Sequence, residues 1–109
     1  DLYVVFTKPT NGLGPVMENI EEHLKFQVSL EERGIMFAAG PFWEDNEIDW
    51  AGEGMVIIRA NSLSDAKKIA ATDPMHKSGA RSFTVRPWLL NEGTINLSIN
   101  YSKGNFTLK

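Results

Sequence analysis

Two stretches of this chain are apolar with little or no polar alternation: Leu2, Tyr3, Val4, Val5 and Phe6, and then Met55, Val56, Ile57 and Ile58. Short runs rich in β-branched and aromatic residues read as buried strands. A strand that is apolar on both faces needs cover on both faces. Helices can supply one of them. With 109 residues the chain is sized for one domain with a modest core, which leaves no material for a second covering layer. The pattern therefore predicts that a second sheet, contributed by another copy of the chain, closes the other face, so that the protein is a homodimer.

The remaining punctuation places the helices. After a turn-rich loop over residues 7–15, a helix is expected over 16–33, with Met17, Ile20, Leu24 and Val28 as its apolar stripe and Gly34 as its stop. Residues 35–39 read as a second strand and 55–60 as a third, joined by a long connection over 42–54. Ser62 and Asp65 stand at capping-box spacing ahead of a second helix over 63–71, whose Leu63, Ala66, Ile69 and Ala70 face inward. Residues 83–86 make a fourth strand, ended by Pro87 and Trp88. The order β-α-β-β-α-β is that of a ferredoxin-like α+β domain: a four-stranded antiparallel sheet with both helices on one face. That domain is expected over 1–90. Weak alternation over 94–109, around Lys103, Gly104 and Asn105, predicts a C-terminal β-hairpin appended to it, so that 91–109 is an extension of the same domain.

Composition removes several classes of function. The net charge is −3 with no long basic run, so a nucleic-acid partner is not expected. No apolar run approaches the length of a membrane span, and no membrane partner is expected. The absence of cysteine excludes thiol catalysis, disulfides and cysteine-held metal, and fits a cytoplasmic protein. The two histidines are not spaced as metal ligands, and Gly12-Leu13-Gly14 is too short to cradle a phosphate. No cofactor and no metal are therefore expected.

The chemistry concentrates where the second helix breaks, at Asp73, Pro74, Met75, His76, Lys77, Ser78 and Gly79. A carboxylate just past a helix C-terminus meets the negative end of the macrodipole and needs a partner, such as a cation, a backbone donor or an imidazole. Alternatively, Asp73 caps a short second helix with Pro74 at its first position; the two readings are compatible. His23 borders the apolar stripe of the first helix, where it is either a packed residue or a functional one. Phe42, Trp43 and Trp50 lie in a connection that also holds five acidic residues. They are either the wall of a pocket that stacks a planar ligand or a cover over a core edge. Arg59, Arg81 and Arg86 are the cations available to hold a phenolate or a leaving anion, and His76 is either an assistant to His23 or a surface residue of the turn.

Taken together, Tyr3-Val4-Val5, His23-Leu24, Ala39-Gly40-Pro41, Asp73-Pro74 with Gly79, and Pro87-Trp88 resemble the YCII-related proteins of the dimeric α+β barrel class, over roughly residues 2–88. The resemblance implies a histidine and an aspartate side by side in a cleft, here His23 and Asp73, as the catalytic pair. It leaves Phe42, Trp43, Trp50, Met75, His76 and Arg81 as candidates to bind a small aromatic substrate. The family usually has an aromatic residue after Asp-Pro, where this chain has Met75. The 42–54 loop and the tail from Asn91 also depart from the family pattern. Among proteins of this architecture, the resemblance implies a cofactor-independent lyase that removes HCl from a chlorinated hydroxyquinol. The alternatives are a muconolactone-isomerase-like isomerase or a dimeric binding protein without turnover.

Overall fold

The computed structural model describes residues 1–102 and, as backbone, 105–108. Its elements run β1 (Leu2–Pro9), α1 (Leu13–Glu18), α2 (Ile20–Glu32), β2 (Met36–Pro41), β3 (Gly54–Arg59), α3 (Leu63–Ala71), α4 (Pro74–Lys77), β4 (Arg81–Trp88), β5 (Leu97–Asn100) and β6 (Asn105–Leu108). The first four strands form one sheet in the order β2-β3-β1-β4, every pair antiparallel. This is the ferredoxin-like arrangement, with the two double-sidedly apolar strands in the centre. Pro41 and Pro87 fall on the two edge strands, where a missing N–H costs no ladder bond.

Tyr3, Val5 and Ile58 on one face of the sheet pack against Leu30 of α2 and Ala66 and Ala70 of α3. Both helices therefore cover the same face. α3 is the simpler of the two. Ser62 accepts a hydrogen bond from the Asp65 N–H at 3.1 Å, a cap worth about 1 kcal/mol. All four residues expected to face inward, Leu63, Ala66, Ile69 and Ala70, join the core.

The first helix departs from its expected course. It begins at Leu13 and is broken at Asn19 into α1 and α2. The cause is local: the Asn19 side-chain amide donates to the Pro15 carbonyl at 2.8 Å, and the Asn19 backbone N–H is displaced onto Val16 O at 3.2 Å. A side chain has replaced the helical backbone donor. The expected stripe is not the face that packs on the sheet. Met17, Leu24 and Val28, expected inside, are 56%, 55% and 49% exposed, while Val16 and Leu30 are buried. The helix stops as expected. Gly34 adopts φ +70°, its N–H bonds to Glu31 O, and the Ile35 N–H bonds to Leu30 O, which is the paired closure of a Schellman motif.

β5 and β6 form a separate two-stranded sheet, with Leu97 paired to Leu108 and Asn100 to Asn105. Of the expected turn, Lys103 and Gly104 lie outside the described residues. The opposite face of the main sheet leaves Phe6 and Trp88 half-exposed.

Candidate active site

The short helix α4 distributes its side chains in three directions. Asp73 is its N-cap: one carboxylate oxygen accepts the Met75 N–H at 2.8 Å, and Pro74 occupies the first helical position. The carboxylate is 4% exposed. It also meets His23, whose Nδ1 lies 2.9 Å from each of its two oxygens. Both sequence readings of Asp73 are thus present at once, cap and partner of an imidazole. A ring N–H that faces a carboxylate carries the proton, so the other nitrogen, Nε2, is left as a lone pair. Its nearest protein donor is the Gln27 amide at 3.5 Å, at the outer limit for a hydrogen bond.

His23 Nε2 therefore faces a cleft of about 720 Å³, within the range of small-ligand sites. Its helix wall is Ile20, His23, Leu24, Gln27, Val28 and Glu31. Its floor is β2 and the start of β3, and Trp50, Thr7 and Arg81 close the far side. Leu24 and Val28, misplaced as core by periodicity, are its rim. The floor is built from small residues. Gly54 stands in register between Thr7 and Pro41; a Cβ there would come within 3.3 Å of the Gly40 carbonyl and 3.8 Å of the Thr7 methyl.

Arg81 and Trp50 are at the cleft as expected. The Arg81 guanidinium lies 5.7 Å from the centre of the Trp50 ring, the geometry of a cation–π contact. The Trp50 indole donates to Glu53 O at 2.8 Å, which fixes the ring. Arg81 is 6% exposed, and its Nε has no hydrogen-bond partner. Burial pushes its affinity for the proton down from the usual arginine value, and the nearby Asp73 charge pushes it back up. The group stays charged, since guanidinium is not deprotonated in proteins.

Four other candidates are elsewhere. Phe42 and Trp43 are 44% and 61% exposed and are not among the cleft walls. The Phe42 N–H bonds to Glu53 O at the base of the connection, so the loop closes on itself before these rings reach the cleft. Met75 is fully buried against Val16 and Ala80, in the core beside the site. His76 does not line the cleft either: Nδ1 meets the Ala70 carbonyl at 2.6 Å and Nε2 meets Thr7 Oγ1 at 2.8 Å. Its ring lies 4.3 Å from that of Phe83. Burial lowers its pKa below 6.5, with the Ala70 carbonyl and Asp73 opposing the shift and Arg81 and His23 adding to it. Of the other cations, Arg59 spends its donors on the Gly34 and Met36 carbonyls, and neither it nor Arg86 lines the cleft.

Sequence reasoning missed Thr7, Gln27 and Gly54 as cleft residues. The signals were available: Thr7 continues the inward alternation Tyr3, Val5, and Gln27 is one turn beyond His23. Among the described residues no group of three or more histidine, aspartate or glutamate side chains is placed to hold a metal ion, and no helix is long and apolar enough to cross a membrane.

Over 92 residues the chain is 30% identical to the uncharacterized protein YjpA of Bacillus subtilis (strain 168), covering 83% of this chain and 96% of that one. Its fold is similar to that of the 5-chloro-2-hydroxyhydroquinone dehydrochlorinase from Burkholderia phenoliruptrix AC1100, whose structure holds 2,5-dihydroxybenzoquinone. The TM-score is 0.67 at 22% identity, covering 84% of this chain and 96% of that one. Residues 2–89 match the model of the YCII-related domain. That match runs from β1 through the end of β4 and contains both His23 and Asp73, and the chain belongs to the YCII-related domain family.

Proposed function

We propose that the protein is a cofactor-independent lyase that acts on a small hydroxylated aromatic ring, with His23 as the acid–base group and Asp73 as the residue that orients it. One observation carries this reading: the imidazole is pinned through Nδ1 by both oxygens of a buried carboxylate, while Nε2 looks into an apolar cleft of ligand size. Imidazole is the side chain best suited to move protons near neutrality. Trp50 supplies a flat wall for a ring, and Arg81 supplies a charge for an oxyanion or a departing halide.

The finer form of the proposal is removal of HCl from a chlorinated hydroxyquinol. The similarity in fold to a dehydrochlorinase that holds a dihydroxyquinone supports it. His23 takes a proton from one ring hydroxyl and returns it to the chlorine-bearing carbon, leaving a ketone. A second hydroxyl then loses its proton as the C–Cl bond breaks and the electron pair leaves on chloride. Substrate minus HCl is the hydroxyquinone, so the step needs no oxidant. The proposal also includes a homodimer, in which a second sheet covers the opposite face of the main sheet, the one carrying Phe6 and Trp88.

The test is chloride release and quinone absorbance from 5-chlorohydroxyhydroquinone, under anaerobic conditions with chelator present. Turnover that disappears in His23→Ala is the expected result. Wild-type protein that binds the compound saturably without releasing chloride would instead make this a binding protein.

A further inference from the structure

If the cleft is the ligand site proposed above, two of its walls dictate the protonation state of what it holds. The Ala70 carbonyl can only accept a hydrogen bond. His76 Nδ1, 2.6 Å away, must therefore carry the ring proton. His76 is then neutral with a lone pair on Nε2, and burial favours that form. Thr7 Oγ1, 2.8 Å from that lone pair, has one proton and gives it to His76. Thr7 is 6% exposed and lines the cleft. Toward the cleft its oxygen can only accept a hydrogen bond.

Arg81 imposes the opposite demand. Its guanidinium has donors and no acceptor. It is only 6% exposed, lines the cleft, and has a buried Nε without a partner. The ion pairs among the described residues, His23–Asp73 and Lys25–Glu22, do not include it. A buried cation without a hydrogen-bonded anion is costly unless something supplies one. In the sheet Arg81 pairs with Pro9, two residues beyond Thr7 on the same face, so the acceptor and the cation are near neighbours.

We infer that the ligand is a planar monoanion that turns an anionic oxygen to Arg81 and a still-protonated hydroxyl to Thr7. A phenolate bearing a second, neutral hydroxyl satisfies this, and so does a hydroxylated aromatic carboxylate. His76 is a positioning residue, which sets the direction of the Thr7 proton and touches no ligand.

The experiment is calorimetric binding of unreactive probes. 3-Hydroxybenzoate and the monoanion of 4-nitrocatechol represent the two sources of charge. 3-Methoxybenzoate lacks the donor, and 3-hydroxybenzamide lacks the charge. Wild type is expected to bind 3-hydroxybenzoate or 4-nitrocatechol at least about tenfold more tightly than either control, since a lost hydrogen bond to a charged or buried group is worth about that factor. Thr7→Val removes the preference over the methoxy compound, and Thr7→Ser keeps it. Arg81→Met removes the preference over the amide. His76→Phe retains the ring packing on Phe83 but frees the Thr7 hydroxyl to donate. The methoxy compound should then bind within about threefold of the hydroxy compound, while the charge preference stays. Equal binding of hydroxy and methoxy probes by wild type, equal binding of acid and amide, or no binding of any probe overturns the inference. The same series in His23→Ala separates it from the lyase proposal. Preferences that persist beside a wild type without turnover refute only the chemistry. Turnover without preferences refutes only the protonation code.

Discussion

The two histidines of this protein both feel the charge of one aspartate and are used in opposite ways. His23 gives one nitrogen to Asp73 and leaves the other at the cleft. His76 gives one nitrogen to the Ala70 carbonyl and the other to Thr7 and has none left. Both are partly buried, so burial alone does not separate a reactive histidine from a structural one. What separates them is the number of ring nitrogens the protein has already committed.

The sharpest way to break that comparison is to remove each ring in turn. His23→Ala should lower the rate of chloride release by about 10²- to 10⁴-fold, the usual worth of a placed acid–base group. Asp73→Asn should also fall steeply, since an amide can turn its NH₂ toward Nδ1 and force the wrong tautomer. His76→Phe should stay within about tenfold of wild type, because His76 acts only through one hydrogen bond to Thr7. Steady-state rates of the three variants decide it; a His76 variant as dead as His23→Ala would mean that the committed nitrogens are not committed during turnover.

How far the sequence could foretell this division follows from the physics of each residue. The sheet order and α3 were legible because their signals are local: apolar runs, a serine cap, a helix with one inward face. The cap role of Asp73 was legible from the proline beside it. The side-by-side placement with His23 spans 50 residues and came from the resemblance, since no local rule reaches that far. Three things were hidden. Periodicity finds the Ile20, Leu24 and Val28 stripe of α2 but not what it faces: the stripe turns to the cleft, with Leu24 and Val28 at its rim, while Phe26 and Leu30 meet the sheet. Phe42 and Trp43 looked like cleft walls because their loop is aromatic, but its backbone closes early through Phe42 and Glu53. The fate of His76 depended on a threonine 69 residues away.

Met75, next to His76 in α4, tests whether the cleft and the core are separate. It is fully buried with Val16 and Ala80, although its position made it a candidate to touch substrate. Met75→Ala should cost about 2–5 kcal/mol of stability, seen as a lower denaturation midpoint, while 4-nitrocatechol affinity measured well below that midpoint changes little. A large affinity loss with unchanged stability would place Met75 in the cleft instead.

Gly54 is the smaller counterpart on the cleft floor. Gly54→Ala sets a methyl 3.3 Å from the Gly40 carbonyl, which is backbone and cannot swing away, and 3.8 Å from the Thr7 side-chain methyl. A cost of about 1 kcal/mol in stability is expected, together with weaker binding of 4-nitrocatechol by calorimetry. If the variant binds as tightly as wild type, the ligand does not descend to the floor between Thr7 and Pro41.

The mildest effect belongs to pH, and it isolates His76 from its reactive counterpart. In the folded protein His76 has a pKa below 6.5, chiefly because burial disfavours its charged form. In the unfolded chain it titrates near the ordinary value of about 6.5. Between those two values the unfolded state binds more protons than the native one, so stability rises with pH there. The contribution is fully present above about pH 6.5 and drains away as pH falls through the folded value. Denaturation midpoints should therefore decline from about pH 7 to about pH 5 in the wild type, and less steeply in His76→Phe, which has nothing to protonate at that position. Proton uptake by His76 would also turn Nε2 from acceptor to donor and release the Thr7 hydroxyl. The same acidification should therefore narrow the gap between 3-hydroxybenzoate and 3-methoxybenzoate in the wild type, and leave it unchanged in the variant. A slope as steep in His76→Phe as in the parent would show that this imidazole is not held neutral by its burial, and the contrast between the two rings would then have to rest on geometry alone.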